Sequence, residues 1–135
     1  MRKIVSGALI AAAASGGALA ATWNPAGQGS NGTVAEFDAE SVSINGDIVA
    51  AWIRYDFSQV PSEPAHSGMS RIETDCGNST QRTLSMIRYS KTGDVIQDAS
   101  TPYSRFELII PESLGEYVAK ALCGYKDVRA RLFRE

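Results

Sequence analysis

What most constrains the fold is a run of strict alternation. From Asp47 to Phe57, the side chains of Val49, Ala51, Ile53, Tyr55 and Phe57 point to one side of an extended backbone. Ile48, Ala50, Trp52, Arg54 and Asp56 point to the other. A helix would scatter the first set around its surface. A strand gathers it on one face, and a run this long belongs at the centre of a sheet. Asn45-Gly46, directly before it, is the best hairpin signal in the chain, because both residues accept the positive φ of a type I′ turn. Two shorter stretches precede that turn, 33–37 and 41–44, with β-branched or aromatic residues at alternate positions.

The pattern recurs downstream. Residues 69–75 form an expected strand running into Cys76. A Gly77-Asn78 turn, a strand over 81–89, a turn at Lys91-Thr92-Gly93-Asp94 and a short strand at 95–97 follow. Strands joined by short polar turns imply an antiparallel meander and not βαβ units. Residues 23–32 are turn-rich and read as an irregular lead-in. The 58–68 stretch is a loop carrying two of the five prolines and the single histidine, His66. Near the end the period changes. Leu114, Tyr117, Val118, Ala121 and Leu122 form one helical stripe. Ser113 and Glu116 spell a capping box at its start, and Gly124 stands where a C-cap takes positive φ.

The chain begins with Arg2 and Lys3, continues uncharged from Ile4, and reaches Ala18-Leu19-Ala20, small residues at the positions a signal peptidase reads. Residues 1–20 therefore read as a signal peptide and 21–135 as a single domain that is exported, to the periplasm or to the cell surface and beyond. An uncleaved membrane anchor is the competing reading. Against it, Ser6, Gly7, Ser15, Gly16 and Gly17 dilute a stretch that would need roughly 20 apolar residues to span. After cleavage no membrane span remains, and no Cys follows the site to carry a lipid.

At 135 residues and 44% apolar, the chain is too short for two ordinary domains and too apolar to stay disordered. Its formal net charge of −2 becomes more negative by two once Arg2 and Lys3 leave. It thus lacks the basic excess of a dedicated nucleic-acid binder. Export favours pairing of Cys76 with Cys123; two separate buried thiols are the alternative. Paired, they clamp the last helical turn to the end of a strand. The expected class is α+β: an antiparallel meander sheet of about six strands, with a C-terminal helix tied to it by a disulfide.

Catalysis has little to work with. A Ser nucleophile needs a base held by a third group, and the only imidazole lies in a proline-rich loop. No HExxH, CxxC, P-loop or calcium-loop spacing occurs. The chain reads as non-enzymatic, with no catalytic, cofactor-binding or metal-ligating residue assigned. Three surfaces are candidates for binding. The first is the 58–68 loop with His66, whose bland alternative is a plain hairpin connection. The second is the strand face bearing Trp52 and Arg54, joined by Arg88, since Trp and Arg are enriched at interface hot spots. Its alternative is that a mid-strand Trp is core, on the face beneath the helix. The third is the basic tail of Lys120, Lys126, Arg129, Arg131 and Arg134, which could attract polyanions. Its alternative is a set of helix-end cations opposing the dipole. Val128, Leu132 and Phe133 at helical spacing imply that this tail docks.

Several spellings, in order, resemble the surface-adhesin protein E family of small exported bacterial domains. They begin with Trp23 and continue through Thr33-Val34-Ala35-Glu36-Phe37-Asp38, Ser41-Val42 and Gly46-Asp47 to the strand bearing Trp52 and Tyr55. Ser70, Asp75-Cys76, Arg82 and Tyr89-Ser90 follow, then Pro111-x-Ser113-x-x-Glu116 ending at Cys123. The likeness covers residues 22–123, and its specificity lies in the ordered set. The chain departs in having Tyr103 and Phe106 where relatives often carry Trp, and in continuing past Cys123. The resemblance implies the same sheet and tied helix, a surface or periplasmic place, and a protein partner, either a host extracellular protein or an envelope protein. The rival class is a periplasmic accessory protein or an inhibitor of a cell-wall enzyme. Oligomeric state stays open.

Overall fold

The computed structural model describes residues 20–133. The expected leader lies outside them except for Ala20, as does Arg134 of the basic tail. The elements run β1 (Trp23–Gln28), β2 (Val34–Asp38), a 3-10 turn (Ala39–Ser41), β3 (Ser43–Asn45), β4 (Ile48–Asp56), β5 (Ser67–Asp75), β6 (Thr80–Tyr89), β7 (Val95–Ser100), β8 (Glu107–Leu108) and α1 (Leu114–Leu132). All pairings are antiparallel, in the order β1-β2-β4-β5-β6-β7, with β3 beside β4 and β8 beside β6. The expected α+β architecture is present. The six-strand path carries two further short strands, making an eight-stranded sheet.

The alternation in β4 builds the core. Val49, Ala51 and Ile53 are fully buried, facing Ala35 and Phe37 of β2, Ile72 of β5, and Val118 and Leu122 of α1. Each of the larger side chains among them (Val, Ile, Leu and Phe) contributes about 1.5–3 kcal/mol by leaving water. The helix packs on β1, β2 and β4 and reaches only the margin of β5. The start of β6 still meets the helix, Gln81 donating to the Gly115 carbonyl at 3.4 Å, but among the described residues no helix packs on the inner side of β7 or of the later part of β6. Cys76, one residue past β5, is bonded to Cys123 of α1 with Cα atoms 5.9 Å apart.

Four local expectations are corrected. Residues 23–28 are not an irregular lead-in but edge strand β1. An edge tolerates Pro25 because no neighbour needs its missing N–H, and a bulge follows between Pro25 and Gly27. Gly27 is required there: a Cβ would stand 2.5 Å from Cβ of Tyr117 on the helix. The β3–β4 hairpin turns at Gly46-Asp47, since Asn45 pairs with Ile48, and only Gly46 has positive φ (59°). That is the II′ pattern, one residue on from the expected I′ turn.

At the other end, Gly124 does not stop the helix. It does not take positive φ, and α1 runs on to Leu132, so Cys123 lies inside the helix and not in its last turn. The N-terminus is as read: Ser113 caps it, its Oγ accepting from Glu116 N at 3.2 Å. The Glu116 carboxylate accepts from Glu112 N, one residue before the position a capping box uses.

Candidate docking surface

The outer face of the sheet is the side away from the helix. Among the described residues no helix or second sheet packs on it, and it is bordered by the 3-10 turn and the 101–106 loop. Strand register sets its side chains in rows. Glu36 of β2 stands opposite Arg54 of β4, Trp52 of β4 opposite Arg71 of β5, and Glu73 of β5 opposite Arg82 of β6. Each arginine is held in place. Arg54 bonds Glu36 at 3.0–3.1 Å while its guanidinium lies 4.5 Å over the Trp23 ring. Arg82 grips Glu73 through Nε and Nη2 at 3.0 and 2.8 Å and lies 4.5 Å over Phe106. Arg71 donates to the Ser41 carbonyl at 3.0 Å. Burial lowers its affinity for its proton, and the charge of Glu73 opposes that shift.

Trp52 sits half-buried in the middle of this array, its backbone N–H bonded to Ser41 Oγ at 2.9 Å. It is not beneath the helix, because the Val49–Ile53 face took that place; the reading of Trp52 as core is corrected accordingly. Guanidinium groups held by carboxylates over aromatic rings make a surface whose side chains lose little freedom when a partner docks.

Arg88 is also corrected. The strand period would place it beside Arg82 on the outer face. The β5–β6 register shifts, pairing Arg71 with Ser85 but Ile72 with Thr83, so Leu84 is left over. One extra residue reverses the facing of everything after it. Arg88 therefore turns inward, 5.7 Å over Phe57 and ion-paired with Glu63 of the 58–66 loop. There it borders a groove of about 550 Å³ between the start of α1 and the unroofed part of the sheet, lined by Tyr55, Phe57, Met86 and Leu114. Tyr55 and Phe57 stack at 6.0 Å. Burial pushes the Tyr55 phenol up to about 12, with a Ser70 hydrogen bond pulling the other way.

The residues singled out from sequence do not converge. Trp52 and Arg54 share the outer face. His66 is exposed at the sheet's end, in a loop pinned by His66 N to Tyr89 O (2.8 Å) and Phe57 N to His66 O (2.9 Å). Arg129 and Arg131 stand on the last turns of α1, where Val128, Leu132 and Phe133 are exposed. The expectation that these apolar side chains dock the tail on the body is thus corrected: the tail continues the helix alongside the 3-10 turn and β3, with all three side chains exposed. Arg71, Glu73, Arg82, Trp23 and Phe106 were missed. The same alternation through 69–75 that gives strand β5 would have put Arg71 and Glu73 on the Trp52 face.

A family model described as Surface-adhesin protein E matches residues 23–124. The chain belongs to that family, as the ordered spellings anticipated. No curated protein and no solved structure matches it. The family points to an adhesin-like role, a protein partner and an exported or cell-surface place. No helix among the described residues is long and apolar enough to cross a membrane.

Proposed function

We propose that the protein is a non-enzymatic exported docking domain that binds a host extracellular protein through the outer face of its sheet. The observation that carries this reading is the array around Trp52: arginines pre-set by carboxylates and aromatic rings on a face that no other element covers among the described residues. Interfaces draw most of their energy from a few such Trp and Arg residues near the centre of the patch. Family membership supports the protein partner and the location outside the cytoplasm. Absence of turnover follows from the reading, and a hydrolytic activity abolished by His66→Ala would contradict it.

The test is surface plasmon resonance of the oxidised protein against immobilised serum and matrix proteins. Trp52→Ala with Arg71→Ala should weaken a captured partner by at least tenfold, about 1.4 kcal/mol or more, while His66→Ala leaves affinity unchanged. An unaffected double variant would refute the outer face as the site. Whole-cell protease accessibility separates surface display from a periplasmic accessory role, which predicts protection in intact cells.

A further inference from the structure

We infer that the free end of α1 is a docking surface for anionic phospholipid bilayers. The family match stops at residue 124, while the helix continues to Leu132. Along α1, the stripe that buries Val118 and Leu122 continues through Tyr125, Val128 and Leu132. Tyr125 still touches the body, edge-on to Phe37 at 5.6 Å. Beyond it the same stripe emerges into solvent, with Val128 53% and Leu132 73% exposed, and the cap residue Phe133, on the Lys126 and Arg129 side of the helix, is 79% exposed, with Ile44 of β3 exposed nearby. Shallow hollows on either side of Phe133 are lined by Val42, Ile44, Val128 and Arg129.

Charge identifies the occupant. Lys126, Arg129 and Arg131 stand on this end of the helix and Arg134 follows in the sequence, against the acids Asp127 and Glu135, on a chain of formal net charge −2, while Glu40 borders one of the hollows. By helical geometry, Lys126 and Arg129 flank the apolar stripe on one side and Arg131 on the other. Lys126 also lies 3.7 Å from Asp47. Cations opposing the helix dipole would account for the charge, but not for two large apolar side chains left in water beside it. Apolar residues projecting from a helix with basic residues on both flanks suit the boundary of an anionic bilayer, where the ring and the isobutyl group enter the acyl region and the cations meet phosphates. A ridge suits that boundary better than it suits a partner's pocket-forming surface. The inference does not depend on the outer-face reading.

The test is vesicle flotation of the protein purified from the envelope fraction, its disulfide intact and its N-terminus defined by mass spectrometry. Phosphatidylglycerol–phosphatidylcholine vesicles are compared with phosphatidylcholine alone. The expected result is flotation with the anionic vesicles only, weakened by salt, falling about fivefold for each cation removed in Arg129→Gln and Arg131→Gln, and abolished in Leu132→Ser with Phe133→Ser. These positions are exposed, and circular dichroism checks that the variants fold; the salt and lipid dependence of the unaltered protein stands without them. No flotation, equal flotation with both vesicle types, or flotation unchanged in either class of variant overturns the inference. So does retention by lipopolysaccharide or by an acidic protein with no binding to the phospholipid.

Discussion

Tyr55 lies at the floor of the inner groove, and its phenol titrates only near 12 because burial penalises the anion. An unfolded tyrosine ionises near 10. The folded state therefore holds this proton more tightly, so the stability linked to it is complete below pH ~10 and is lost as pH rises toward 12. The full loss is roughly 3 kcal/mol. Urea denaturation across pH 9–12 should show this decline, and Tyr55→Phe should flatten it, with one late-titrating tyrosinate disappearing from the ultraviolet titration. The outer arginines obey a different logic. Arg54 and Arg82 each combine a carboxylate with an aromatic face, so lysine at either place would keep the charge but could not match the guanidinium's fork against the carboxylate while lying over the ring.

At the level of elements, Ser113 Oγ accepts from the Glu116 N–H of the first helical turn, which it shares with the Ser113 carbonyl. Ser113→Ala should cost about 1 kcal/mol in thermal or chemical denaturation without altering the sheet. The start of this helix was legible in sequence because its cap is local chemistry; its end was not. Glycine permits a stop but does not impose one, and nothing between Gly124 and Leu132 breaks a helix. Strand β4 was legible because alternation and burial coincide, and its Trp52–Arg54 face came with it. The bulge at Leu84 was not: no glycine or proline marks it, and only pairing with β5 shows the surplus residue that sends Arg88 inward. Trp23 and Phe106 join the outer face through tertiary folding, from the first strand and from the loop before β8. No spacing within one segment could place them there. The strand expected only as far as Gln97 reaches Ser100, because pairing with Ser85 and Met86 extends it.

For the molecule as a whole, the covalent tie matters because the helix covers only part of the sheet. Closing a loop of 47 positions restricts the unfolded chain by about 4 kcal/mol in the chain-entropy account, a large share of the stability of a domain this size. Replacing Cys76 and Cys123 with Ser, or reducing the bond, should lower the denaturation midpoint accordingly. It should free the helix first, seen as early loss of the Tyr125–Phe37 near-ultraviolet signal. A midpoint unchanged by reduction would mean that packing of Val118 and Leu122 alone holds the helix.

The same bond decides what happens when such a domain is held at both ends and pulled. Tension entering at β1 and leaving through the last turns of α1 passes across the sulfur atoms and bypasses everything between them. β6, β7, β8 and the first half of the helix carry no load, and roughly 160 Å of contour length stays locked away. A tether built this way lengthens only by surrendering its first five strands and the helical turns after Cys123, so the chain between the two sulfur atoms stays out of the load path until the crosslink itself is reduced.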